Sequence, residues 1–409
     1  MASSGASLLG SAFTAAALHA SNRARLVARF AGAGAKTAGA APLVALLKGG
    51  EQETRHATDT DVLFRQESYF AWAFGVREPD CYGYVNLTTG ESVLAVPKLD
   101  AAYAVWLGEI HPPEHYRKHY GVDRAIYVDD LGAELKALNP AAVYLLSGLN
   151  TDSKKTHKAP QLEGDAGFEG LVWDKSTTLH AHLNECRVVK TDLELDLMRY
   201  VNRVSSRAHV EVMKQAKPGM REYELEAIFL HHSYRFGGCR HTSYTCICGI
   251  GPHAAVLHYG HAAAPNDGPV EDGSLALLDM GAEYHCYSSD ITCTFPVNGK
   301  FTAKQANVYN TVLKAQLAVF AAIKPGVFWA DMHRLAARII AEELLKHGLL
   351  KGSLDDIIMH HVPALFFPHG LGHLMGLDVH DVGGYPDGMQ RINEPGIRSL
   401  RTLRQLEQG

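Results

Sequence analysis

The sequence predicts an α+β protein: an N-terminal α/β domain, then a domain of long helices and strand hairpins. Three observations predict it. The chain has 409 residues, room for two or three domains and a large core. Between Ala41 and about Ala181, short strand-like runs alternate with helical or looped stretches. From Cys186 onward the pattern changes to long amphipathic helices, and a helix, Lys-Pro-Gly, helix unit occurs twice. The expected division is 1–185 for the first, non-catalytic domain and 186–409 for the second.

Composition excludes some partners. A net charge of −5 and a pI near 6.5 give no electrostatic reason for a nucleic acid or an anionic membrane. No apolar run reaches the length of a transmembrane helix. Seven cysteines suit a reduced intracellular chain better than a disulfide scaffold. Cys246 and Cys248 read as small residues on one strand face.

Residues 1–50 contain no Asp or Glu and are rich in Ala, Gly and Ser, with Arg23, Arg25 and Arg29. That composition suits an organellar transit peptide. Against it, residues 21–30 (SNRARLVARF) show a serine cap followed by helical spacing. The cytosol is the expected compartment, with organellar targeting by residues 1–20 left open. Further on, Ser92–Val96 and Ala142–Leu146 read as strands, Pro97–Ile110 and Asp129–Leu138 as helix or loop. Trp72 and Trp106 read as packing or interface residues.

Thr191 and Glu194 form a capping box. The helix it starts repeats apolar residues at Leu193, Leu197, Val201, Val204, Ala208 and Val212, and Lys217-Pro218-Gly219 ends it. A second helix is expected from about Glu222 to Phe236. The unit recurs 107 residues later. Thr302 and Gln305 form the second box, Val308, Val312, Val319 and Ile323 mark an apolar face, and Lys324-Pro325-Gly326 ends it. Another helix follows from about Ala330 to Leu345. Strands are expected after each unit, which points to an internal duplication.

The chemistry concentrates in two places. Leu275–Leu278 reads as a buried strand ending on Asp279, then a turn at Gly281-Ala282-Glu283, then an extended run from Tyr284 to Phe295 with Asp290 in its middle. Two aspartates on neighbouring strands repel unless a cation or a shared proton lies between them, and exposed turn or edge positions are the alternative. Residues 367–381 (FPHGLGHLMGLDVHD) hold His369, His373 and His380 with Gly370, Gly372 and Gly376. Asp279, Asp290 and His373 together offer hard oxygens and one nitrogen, a set suited to Mn²⁺ or Co²⁺.

The order Asp-x10-Asp, HGLGH, VHDVGG resembles the metallopeptidases of the pita-bread fold, and within them the Xaa-Pro dipeptidases (prolidases). Residues 64–76 (FRQESYFAWAFGV), 184–195 (NECRVVKTDLEL), 243–249 (SYTCICG), 255–267 (AVLHYGHAAAPND) and 394–404 (EPGIRSLRTLR) carry the same likeness. It runs from about Arg23 to the last residue.

The resemblance implies hydrolysis of Xaa-Pro dipeptides by a water activated between two divalent cations, Mn²⁺ with Co²⁺ or Zn²⁺ as alternatives, in a homodimer. By the same resemblance Asp279, Asp290 and His373 are metal ligands, with Asp290 bridging. His258 and His380 are non-ligand histidines that bind substrate and stabilise the oxyanion. Tyr244 stands beside the site, and Arg401 binds the substrate carboxylate. Glu394, in an early Glu-Pro-Gly, is not a ligand. Two glutamates that complete the family's metal set would lie beyond Gly409, so an incomplete chain, short of the domain's last strands, with weak metal binding and no hydrolysis is the expectation for residues 1–409. Two other readings remain: aminopeptidase P, and an inactive relative that binds or scaffolds.

Overall fold

The computed structural model describes residues 14–34, 41–162, 167–386 and 388–408. Two compact units divide between Glu194 and Leu195, inside the helix Asp192–Gln215.

The first unit is built on a six-stranded mixed sheet. Its order is Arg124–Tyr127, Ser92–Val96, Tyr82–Asn86, Leu43–Lys48, Ala142–Leu145, Trp173–Asp174. The three consecutive strands at its centre pair antiparallel, and the flanking ones join in parallel. Its apolar side chains, among them Leu46, Tyr84 and Val143, pack against Leu131 and Leu135 of the helix Leu131–Leu138. Both strands read from the sequence are present. The first helix, however, runs Ala15–Gly32 and is capped by Thr14, whose hydroxyl accepts from Ala17 N; Ser21 lies within it. The arginines of the basic stretch are therefore parts of the fold. Arg23 is buried and donates to Ala73 O and Gly121 O, and Arg25 pairs with Glu194. Residues 1–13 lie outside the described residues, and with them most of the candidate targeting segment. Trp72 is fully buried and donates to Glu194, whereas Trp106 is 75% exposed.

In the second unit the first helix pair, Asp192–Gln215 and Glu222–Gly237, forms as the pattern requires. The Thr191–Glu194 capping box is reciprocal, at 3.2 and 2.7 Å. Leu197, Val201, Val204, Ala208 and Val212 are buried. The last four meet a three-stranded antiparallel sheet ordered Ile247–Ile250, Leu275–Asp279, Thr292–Pro296. A second small sheet joins Tyr287–Ser288, Ala282–Tyr284 and His241–Thr242.

Ala282–Tyr284 is a strand, not a turn; the chain reverses at His285 and Cys286, both with positive φ (48° and 64°). Gly281 serves a close backbone approach and not a turn. A Cβ there would lie 1.8 Å from Ser289 O.

The second pair, Ala303–Ala322 and Trp329–Lys346, also forms, with its capping box intact. Of its expected apolar face Val319 alone is buried. Thr311, Ala315 and Val319 face inward, while Val308, Val312 and Ile323 are exposed at 45%, 59% and 40%. Alanines let the two helices approach closely, and Ala315 and Val319 pack on Met332, Ala336 and Ile339. No strand follows this pair among the described residues. The described residues between 367 and 406 hold one short 3₁₀ turn, Ile397–Ser399, and are otherwise tied by single bonds such as Ser288 N to Gly376 O and Leu403 N to Gly384 O.

Candidate metal centre

Strand register brings the two aspartates together. Asp279 ends its strand opposite Ile247 on one side and Thr292 on the other. Asp290 lies just before Thr292, so both carboxylates emerge at the same end of the sheet. Tyr244, in the connection to the Ile247–Ile250 strand, donates its hydroxyl to Asp279 Oδ1 and lies 3.0 Å from Asp290 Oδ1. On the far side of Asp290, His373 Nε2 is 2.9 Å from Oδ2. The segment Leu374–Asp381 closes on itself through Asp381 N to Leu374 O, which sets the His380 ring 4.5 Å from that of His373 at 84°.

The electrostatics record crowded negative charge. Burial, with the adjacent Asp290 carboxylate, pushes Asp279 up to about 6, against the Tyr244 and Thr292 hydroxyls. Burial also presses Asp290 upward, but its hydrogen bond to His373 and that ring's charge leave it below the usual carboxylate value. Burial first, and then the two carboxylates, raise Tyr244. Burial lowers His373, and the bonds to Asp290 and to Leu374 O reverse this to a net rise. Burial, together with His373 and Arg401, pushes His380 down to about 4, so it is neutral near pH 7.

This donor set fits divalent cations. His373 Nδ1 is 3.0 Å from Leu374 O, which fixes the ring and leaves Nε2 to hold a proton or a cation. Among the described residues no three His, Cys, Asp or Glu group around a single point. Asp290 is common to both neighbours: its Oδ1 faces the Tyr244 hydroxyl beside Asp279, and its Oδ2 faces His373.

The remaining candidates lie further out. His258 is exposed in a turn. Arg401 acts on both His373 and His380. His369 is exposed, with its ring against its neighbour's carbonyl, and Glu394 lies 3.4 Å from Arg334, away from the carboxylates.

Sequence reading missed the residues that hold these loops. Trp329 Nε1 donates to Leu371 O at 2.6 Å, and Leu371 N donates to His333 Nδ1 at 3.3 Å. The two side chains, four apart on one helix, grip the loop two residues before His373. Buried Glu222 accepts from Ile250 N, Tyr259 OH and Gly268 N and bonds His253, so it pins the loop that carries His258. The only sequence signal was a Trp and a His at helical spacing, and an acid at a helix start.

Residues 196–403 match metallopeptidase family M24, and residues 19–144 match the aminopeptidase P N-terminal domain. Xaa-Pro dipeptidase of Homo sapiens is 53% identical over 393 residues, covering 96% of this chain and 78% of that protein. The Rattus norvegicus protein of the same name is 54% identical over the same shares. Among solved structures, Pseudomonas aeruginosa aminopeptidase PepP is similar at a TM-score of 0.77 and 30% identity, over 96% of this chain and 84% of that one.

Proposed function

Because the chain belongs to metallopeptidase family M24, we propose that it is a metal-dependent dipeptidase that hydrolyses Xaa-Pro dipeptides. The observation that carries the reading is the linked row Asp279, Tyr244, Asp290, His373, with His380 against it. Asp279 and Asp290 would hold cations from one side and His373 from the other. When bound, such cations supply Lewis acidity and an activated water for attack on the amide carbon. Tyr244 keeps the two carboxylates oriented. Neutral His380, with His258, offers an N–H to the developing oxyanion. The Arg401 guanidinium suits the free carboxylate of a dipeptide. Manganese is the proposed cation, since the donors are oxygen-rich, with cobalt or zinc as alternatives. A homodimer is the proposed assembly, and exposed Val105, Trp106 and Leu107 give the first unit an apolar surface suited to one.

Identity separates this from the aminopeptidase reading: 53% to a dipeptidase against 30% to the solved aminopeptidase. The test is to assay Gly-Pro beside a tripeptide with proline second, with added MnCl₂ and after chelation. Proline release from the dipeptide, lost on chelation and in Asp290→Asn, would support this reading and overturn the sequence-based expectation of no hydrolysis. Preference for the tripeptide would make the chain an aminopeptidase. Manganese binding with neither substrate cleaved would favour a binding role.

A further inference from the structure

Behind the two aspartates lies a buried polar network that touches neither of them. Ser205 and His209 sit four apart on one face of the helix Asp192–Gln215, and both are buried. His209 Nε2 donates to Met280 O at 2.9 Å. Ala282 N donates to Ser205 Oγ at 3.1 Å and to Ser289 Oγ at 3.0 Å. The Ser205 and Ser289 hydroxyls are 2.8 Å apart, and Ser289 Oγ also reaches Ala282 O at 2.8 Å. Ser243 closes the other side, donating from Oγ to Ala282 O and accepting from Ser289 N. Between them Gly281 leaves no space for a side chain.

The tied backbone is the residue after Asp279 and the residue before Asp290. Met280 N bonds Ile291 O at 3.1 Å, so the chain on the far side of Asp290 is tied to the same residue. An apolar helix face would fill this space as well, and leaving the His209 Nδ1 atom buried without a hydrogen-bond partner is costly. A polar pair kept here has a geometric task.

We infer that Ser205 and His209 are positioning residues that set the separation of the Asp279 and Asp290 carboxylates through the backbone at Met280, Ala282 and Ser289. The inference rests on the reading of those aspartates as cation ligands. Residues that orient metal ligands at one remove are typically worth about 10–100-fold in metal affinity. Their effect therefore appears in cation binding, before any substrate is added.

The experiment is isothermal titration of the chelator-stripped full chain with MnCl₂, with the melting temperature of each stripped protein measured alongside. The variants are His209→Leu, His209→Gln, Ser205→Ala, Asp290→Asn and Val212→Ala. Val212 lies on the same helix in the apolar core and bonds none of the backbone in question, so its variant calibrates general loosening. Expected is at least a tenfold loss of Mn²⁺ affinity in His209→Leu and Ser205→Ala, beyond that of Val212→Ala at comparable melting loss. His209→Gln, which retains a donor for Met280 O, should recover most of it. Equal losses in Val212→Ala, no recovery with Gln, or wild-type affinity in the Leu and Ala variants would each overturn the positioning role. Wild-type affinity in Asp290→Asn would instead overturn the ligand reading, and this inference with it.

Discussion

The two helix pairs of the second unit share a sequence pattern and differ in what covers them. In the first, Val201, Ala208 and Val212 vanish under a sheet whose end carries Asp279. In the second, Val308 stands where the repeat would align it with Val201, yet it is 45% exposed, and Leu317 and Phe320 beside it exceed half. Each pair still reaches the site through side chains four apart that grip backbone: Ser205 and His209 at Ala282 and Met280, Trp329 and His333 at Leu371. One pair works from within a packed core, the other from a thin one. The matching motifs therefore specify helices and their ends, while burial is decided by the elements that follow in space.

The largest expected effect is on the first pair. Phe229→Ala should destabilise the unit by about 3–5 kcal/mol, since the ring is fully buried between helix and sheet; urea unfolding measures it. A loss under 1 kcal/mol would mean the first core is as loose as the second.

Next come the aligned valines. Val201→Ala should cost about 1.5–3 kcal/mol by the same measurement. Val308→Ala should stay within about 0.5 kcal/mol, as for an exposed surface position. Equal costs would show that Val308 is covered in solution.

The second pair should be the more sensitive to acid. Burial, with His369 and Arg334 nearby, pushes His333 down to about 4. A histidine depressed in the fold is held neutral there, so its contribution is complete above the unfolded value near 6.5 and is lost as pH falls toward 4. Protonation also removes the acceptor that Leu371 N uses. Amide exchange at Leu371 should accelerate across that window, and His333→Phe should flatten the pH dependence while keeping the stack on Phe367. An unchanged slope in the variant would assign the acid response elsewhere.

The smallest effect lies at the caps. Thr302→Ala removes an exposed box and should cost about 0.5–1 kcal/mol. Thr191→Ala should cost more, because its partner Glu194 is buried and also receives Trp72 and Arg25. Differential melting of the two variants ranks them.

What was legible in the sequence was local. Both capping boxes, both Pro-Gly stops, and the aspartate and histidine motifs depend on residues within a few positions of one another. The turn assigned to Gly281 failed because the atom that demands a glycine, Ser289 O, is eight residues away and meets it only after the strands pair. The face of the Ala303–Ala322 helix failed for a similar reason: alanines, silent in a hydrophobic pattern, made the contact. Trp329, His333 and Glu222 act on backbone far along the chain, and spacing carries no trace of that.

The helix Ala15–Gly32 bears on how the N-terminus can be trimmed. His19 and Asn22 meet Trp72 O, and Arg23 meets Ala73 O, at the C-terminal end of the helix Ser68–Phe74. Those carbonyls have no partner in their own helix turn. A maturation protease or a fusion junction must therefore act upstream of Thr14. A cut a dozen residues later would strip three caps from another helix and leave the first unit without its lock.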